Sequence, residues 1–372
     1  MTLIQLESGR NVLIDVRIRA AADDQDDDTP DVAKMLRERL RRDPLGRPYV
    51  DAFLLSHPDQ DHCLGLDAHF HLGPLADYPK GSGKIVLREL WSSPIVFRRA
   101  SRLHVLCDDA KAFCAEARRR VAAFRKFGAA DDGDRILILG EDEDGKTDDL
   151  ASILVRVDET FSKVSGAWDD SMTARLLAPH PKSGDEQEEE ARAKNRSSTI
   201  LNFSLTGGGT PDAGRFLSAG DAEVAVWERL WELHKHQTDR LRYDIHQAPH
   251  HCSWHSLSHE SWSEKGKDAE VSRAARGALS QTRTGATVVA TSRAIKDDGC
   301  DPPCIGAKRE YEAIVAGARG SFRCVGEHPS EAAPGLMEFE VGRNGPRLLS
   351  NGLTAPALAG AGAVGRQPLP HG

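Results

Sequence analysis

A chain of 372 residues, 39% hydrophobic and 28% charged, is long enough for one large domain or two ordinary ones and has the composition of a soluble globular protein. No stretch approaches 18 uninterrupted apolar residues, which argues against a membrane span, and MTLIQLESGRNVLID lacks the basic-then-apolar layout of a secretory signal. A net charge of −8 argues against whole-surface attraction to nucleic acid but leaves room for a local basic groove, and seven cysteines without a C-x-x-C pair read as reduced thiols of a cytoplasmic protein.

In chain order, Leu3–Leu6 and Asn11–Val16 read as strands around a turn, Asp31–Arg42 as a helix and Val50–Ser56 as a strand. Asp61–His71 opens a helix or loop. A helix spans about Asp108–Phe127, with Phe113, Ala117, Val121 and Phe124 on one face. Short strands follow at Ile136–Leu139, Ser152–Val157 and Thr173–Ala178. Thr199–Leu205 and Gly214–Ser218 form a hairpin, and Ala222–His236 is helical. Tyr243–Ala248, Thr287–Ala290 and Leu336–Val341 are further strands. Many strands with interleaved helices place sheets at the centre of an α/β fold and helices outside. Residues 1–350 read as one domain, and the Ala-, Gly- and Pro-rich residues 351–372 as a disordered tail. Acidic runs at 23–28, 141–149 and 185–190 read as solvated loops. The basic stretches Arg88–His104 and Ala117–Lys126 offer a nucleic-acid handle, with Arg118 and Arg119 as its test.

The chemistry concentrates in LLSHPDQDHCLG, where His57, Asp59, Asp61 and His62 crowd just past a strand end. A polar turn is the bland reading, but donors recur at later strand ends: Asp221 after Arg215–Ser218, and His250 with His251 after Tyr243–Ala248. A metal needs several ligands aimed at one spot from rigid elements. His57 and Asp59 would address one ion, Asp61 and His62 another, and the two oxygens of Asp221 would bridge them.

LID (Leu13–Asp15), SHPDQDH (Ser56–His62), SAGD (Ser218–Asp221) and APHHCS (Ala248–Ser253), in that order, resemble the metallo-β-lactamase superfamily, and within it the soluble domain of ComEC-type DNA-uptake proteins. The resemblance covers roughly Met1 to Val341 and extends to Asn195–Leu201, similar to the family's NNSSLVL strand. It implies an αββα sandwich of two packed mixed sheets with helices outside; the family's usual DVGQGD-like opening strand has no counterpart in this sequence, as expected of either a trimmed sheet or a late recorded start. It also implies metal ligands at His57, Asp59, Asp61, His62, Asn195, Asp221 and His251, with Asp61 orienting a metal-bound hydroxide and His250 facing the substrate, the sequence alone leaving the roles of His250 and His251 interchangeable. Asn195 stands where many members have histidine, so the ion at His57 and Asp59 is expected to be the looser one. Cys252 replaces the family's glycine, and a thiol there would be within reach of metal unless it is merely a tolerated small residue.

Two Zn2+ ions are the first expectation, while the oxygen-rich donor set admits Mn2+ or Mg2+. The implied function is a metal-dependent phosphodiesterase or nuclease acting on a small-molecule or nucleic-acid phosphodiester, with no membrane partner. The alternatives are a hydrolase of another ester, such as a thioester or lactone, and a metal-binding module with degenerate catalysis. His69, His71, His255 and His259 read as loop or surface histidines, and His180 as a structural residue near a strand end.

Overall fold

The computed structural model describes residues 1–21, 30–94, 105–128, 131–142, 145–181 and 197–349. Asn195, residues 95–104 of the first basic stretch, the acidic runs at 23–28 and 185–190 and the expected tail at 351–372 lie outside the described residues.

Two seven-stranded mixed sheets form the centre. The first contains β1 (Thr2–Gln5), β2 (Asn11–Ile14), β3 (Tyr49–Leu55), β4 (Ile85–Ser92), β5 (Arg135–Leu139) and β6 (Leu154–Val155) in that spatial order, with the short strand Phe70–His71 beside β4. Only β1 and β2 pair antiparallel; the other neighbours are parallel. The second contains β7 (Thr160–Phe161), β8 (Met172–Ala178), β9 (Ile200–Gly207), β10 (Thr210–Ser218), β11 (Tyr243–Gln247), β12 (Thr282–Ala290) and β13 (Ser321–Cys324), ordered β13-β12-β11-β10-β9-β8-β7. Its β10 to β13 half is parallel and its β7 to β10 half antiparallel.

Side-chain alternation sorts the strands between three cores. The register pairs Leu13 with Phe53, and both pack with Leu36 of helix α1 (Val32–Arg39) and Phe113. The adjacent pairs Val12–Ala52 and Ile14–Leu54 face the other way, against Trp91, Phe203 and Phe216 between the sheets. On the far side of the second sheet, Leu217, Tyr243 and Val288 pack beneath Trp227, Ala278 and Tyr311. The chain is therefore α/β, with its sheets face to face and helices on their outer surfaces. Fully burying each large apolar side chain contributes roughly 1.5–3 kcal/mol, so these cores hold the strand ends in place. Among the described residues no helix is long and apolar enough to cross a membrane.

Several boundaries differ from the sequence pattern. Of Ser152–Val157, the first two residues end a 3-10 turn, Asp148–Ile153, and only Leu154–Val155 is strand. β4 takes in the start of the stretch that reads as basic: Arg88 is half-buried in it, stacked on Tyr49 and paired with Asp51. Helices Arg273–Leu279 and Ile305–Ala316 follow weak local patterns and are held by tertiary packing.

His246 of β11 lies wholly inside, its Nδ1 3.1 Å from the Leu217 carbonyl and its ring against Trp227 and Tyr243. Burial pushes its pKa down to about 4, and His180 is likewise pushed to about 4 by burial and by Arg229. As pH falls, the unfolded chain, at the ordinary 6.5, takes up these protons first. The stabilisation is thus complete above pH 6.5 and is lost between 6.5 and about 4. Each group contributes a slope of at most about 1.4 kcal/mol per pH unit in that window. Urea unfolding across the window is expected to show a shallower decline for His246→Phe than for the wild type, whatever the offset at neutral pH. Equal slopes would contradict the assignment.

Candidate metal centre

Asn195 aside, the donors expected from sequence sit at carboxyl ends of strands in both sheets, where the sheets meet. Asp15 follows β2 and turns into the left-handed region at φ 55°. Ser56 and His57 follow β3, and the short helix α2 (Gln60–Cys63) carries Asp61 and His62, with Asp59 at its N-cap. Asp221 follows β10 through Gly220, whose φ is 50° and where an added Cβ would come within 3.0 Å of Ser56 Oγ. His250 and His251 follow β11 in a turn where His250, His251 and Cys252 all have positive φ (49°, 53° and 71°). Each such residue costs about 1–2 kcal/mol, so the surroundings must hold the turn; one clamp is His250 N–H donating to the Gly220 carbonyl at 3.0 Å.

Four donors from three strand ends converge: one ligand atom each from Asp61, His62, Asp221 and His251 lies within 4.8 Å of the others. His62 Nε2 is 3.2 Å from His251 Nε2 and 3.0 Å from Asp221 Oδ1, and His251 Nε2 is 2.8 Å from Asp61 Oδ2. These separations suit ligands of one ion with bonds of about 2.0–2.2 Å. The far nitrogens are anchored: His62 Nδ1 lies 2.8 Å from Asp15 Oδ2 and His251 Nδ1 3.1 Å from the Thr291 carbonyl. Such partners fix the ring and tautomer of a metal-binding histidine.

A second group surrounds the other Asp221 oxygen. Oδ2 is 3.4 Å from His57 Nε2 and 3.6 Å from His250 Nε2, and His57 Nε2 is 3.8 Å from Asp59 Oδ2. Among the described residues buried His57 Nε2 has no hydrogen-bond partner, the state expected of a nitrogen that keeps its lone pair for a cation. The two oxygens of Asp221 thus face different donor groups, as a bridging carboxylate does.

Charge gives a further reason for a cation. Asp15, Asp59, Asp61 and Asp221 bring four carboxylates to one pocket, and Asp15 and Asp221 are almost wholly buried. Burial opposes charging His62, but the Asp15 and Asp221 carboxylates overcome it and raise its pKa to about 10. Burial alone would raise the Asp61 carboxyl; the hydrogen bond from His251 and the nearby His62 outweigh it and hold the group well below the usual carboxylate range. Asp221 is likewise held down, against its burial, by His57 and His62. A pocket that draws a proton so strongly onto His62 is built for positive charge, and this donor set of imidazole and carboxylate fits Zn2+, Mn2+ or Mg2+.

The remaining candidates fall elsewhere. His180 follows β8 and has Arg229, Asp158 and His234 as its charged neighbours. His69 meets Arg37 at 3.0 Å, His71 the Pro74 carbonyl at 2.9 Å, and His259 Glu228 at 3.0 Å. Cys252 is fully buried in the helix-side core of the second sheet, near Cys304 and Tyr311, rather than in the donor pocket. Its positive φ shows why glycine suits the position. The expectation of a free cationic handle on helix Asp108–Phe127 needs correction for two of its arginines. Arg119 forks onto Glu116 at 2.8 Å and meets Asp134 at 2.6 Å, while buried Arg120 meets Glu116 at 2.7 Å. Charge reversal at Arg119 would break this network rather than report on nucleic acid. Sequence reasoning left Asp15, Ser56 and Gly220 without roles, although LID and the serine before His57 carry the signal.

No family model matches the chain, and no curated protein matches it.

The tighter donor group should fill first. Zinc added to metal-free protein is expected to bind strongly at Asp61, His62, Asp221 and His251 and more weakly at His57 and Asp59. Elemental analysis after dialysis against a mild chelator should leave one ion in the wild type and none in His251→Ala. Two equally retained ions would contradict the ranking.

Proposed function

We propose that the chain is a metal-dependent hydrolase of the metallo-β-lactamase type, cytoplasmic, with an αββα sandwich and a two-ion centre, acting on a phosphodiester. The observation that carries the reading is the convergence of Asp61, His62, Asp221 and His251 from three strand ends on one point. Its support also includes Asp221's second oxygen, turned towards His57 and His250. Two packed mixed sheets with donors at their carboxyl ends agree with that fold type. Zn2+ is the first assignment because imidazoles supply half of the closest donors.

The bound ions would lower the pKa of a coordinated water and neutralise charge on a phosphoryl group. The chain's own residues would do the rest. Asp61, held ionised and about one-third exposed, accepts a hydrogen bond from the attacking water and fixes its direction towards phosphorus. His251, its ring anchored by the Thr291 carbonyl, would hold the same ion as Asp61, whose Oδ2 lies 2.8 Å from its Nε2. His250 is 21% exposed and reaches the pocket mouth beside Asp221, placed to give the leaving oxygen a proton from Nε2. The buried flank formed by Ser56, His57 and Asp221 keeps bulk water from the inner side of the centre.

Asp61→Asn preserves shape and removes the charge, so turnover of bis-p-nitrophenyl phosphate is expected to fall by roughly 10²–10⁴-fold with circular dichroism unchanged. The decisive measurement is a panel of that ester, single-stranded DNA and a thioester, run after metal reconstitution. Undiminished turnover by Asp61→Asn would overturn the mechanism, and hydrolysis of the thioester alone would overturn the substrate class.

A further inference from the structure

Ser56 is the residue through which one carboxylate reaches both halves of the donor set. Its backbone N–H donates to Asp15 Oδ1 at 2.7 Å and its hydroxyl lies 2.8 Å from Asp15 Oδ2. The same Oγ is 3.1 Å from His57 Nδ1 and 3.3 Å from His62 Nδ1. All four side chains are buried. Three groups converge on the Asp15 side chain, the Ser56 N–H, the Ser56 hydroxyl and His62 Nδ1, so its two oxygens are placed to accept.

Proton accounting then leaves one arrangement. Asp15 Oδ2 accepts from His62 Nδ1–H, the closer of that nitrogen's two oxygen neighbours at 2.8 Å against 3.3 Å. The single hydroxyl proton of Ser56 goes to Asp15 as well, because a carboxylate is its strongest acceptor within reach. Ser56 Oγ has no proton left for His57 and accepts from it instead. A neutral His57 therefore carries its proton on Nδ1, which leaves its Nε2 facing Asp221 and Asp59, where among the described residues it has no hydrogen-bond partner.

We propose that Ser56 is a positioning residue that relays the orienting influence of Asp15 to His57, so that one buried carboxylate fixes the tautomers of both histidines, His62 directly and His57 through the serine hydroxyl. The relay rests on the reading of this pocket as a metal centre. It makes the His57 ion depend on Ser56 while the His62 ion depends on Asp15 alone.

The test uses the full-length protein and Zn2+ alone, with ¹⁵N ring spectra of the histidines in the metal-free and zinc-loaded forms at about pH 8, above the ordinary imidazole range. The His57 signals are identified by their loss in His57→Gln. In the wild type a slowly exchanging Nδ1–H is expected on His57. Ser56→Ala should lose that slow exchange at His57 but keep it at His62, and should weaken one of two zinc ions by about 10-fold or more while sparing the other. Ser56→Thr, which keeps the hydroxyl, should restore both readouts. A protected His57 Nδ1–H with unchanged zinc affinities in Ser56→Ala would overturn the relay. So would equal weakening of both ions together with a lowered melting temperature, the mark of merely structural support. If the wild type takes up no zinc, the metal reading fails, and the metal-free spectra still decide the relay by whether His57 Nδ1–H protection needs Ser56.

Discussion

The structure turns on the burial of negative charge. Asp15 and Asp221 lie almost entirely out of water, with Asp59 and Asp61 beside them. Ionised carboxylates are buried only when something positive or strongly donating meets them. Ser56 and His62 satisfy Asp15 from within the protein. Imidazoles stand at 3.0–3.6 Å from the two oxygens of Asp221, and each of those rings turns a nitrogen towards it. Without a cation, the pocket must hold a proton on His62 well above neutral pH. With one or two divalent ions, the same geometry becomes a set of short ligand bonds, and the proton on His62 Nε2 is released.

The fold exists, in effect, to maintain that concentration. The donors come from positions nearly 200 residues apart in sequence, yet His62 and His251 meet at 3.2 Å. Parallel β2 and β3 present Asp15 and the His57–His62 segment side by side, because the register sets Ile14 opposite Leu54. Parallel β10 and β11 do the same for Asp221 and the His250–His251 turn. Apolar packing between Ala52, Leu54, Phe203 and Phe216 then fixes one pair of strand ends against the other. Cross-links finish the job: Thr199 N–H donates to the Ser56 carbonyl at 2.9 Å, and Asp221 N–H to Ser198 Oγ at 3.1 Å.

The central strands and the donor types were legible in the sequence because both depend on local pattern. Apolar runs marked β3 and β11, and crowded His and Asp residues marked their ends. Helix Asp108–Phe127 was legible from its spacing and matches the observed span. Other features depend on partners far along the chain. Arg88 and Arg119 read as surface cations, but Asp51, Asp132, Glu116 and Asp134 absorb their charges. Asp15 read as part of a strand-end motif, and only the fold reveals that it backs His62 at 2.8 Å. Cys252 read as a possible metal neighbour, since nothing local says which way a side chain at φ 71° points.

The turn at His250–Cys252 shows how a strained backbone and a donor pocket depend on each other. Two adjacent side chains on regular backbone diverge, because extended residues alternate faces. Here consecutive left-handed residues bend the chain so that His251 Nε2 reaches Asp61 at 2.8 Å while His250 Nε2 stays within 3.6 Å of Asp221. Glycine at the third position would relieve one residue's strain, but Cys252 instead fills space beside Cys304 and Tyr311. The thiol's burial offsets part of the conformational cost, and the hydrogen bond from Cys304 N–H to the Cys252 carbonyl at 2.9 Å ties the turn to the start of helix Ile305–Ala316. The two imidazoles are thus held from behind by an apolar core. That leaves their Nε2 atoms directed into the carboxylate pocket, where a cation would contribute most to stability.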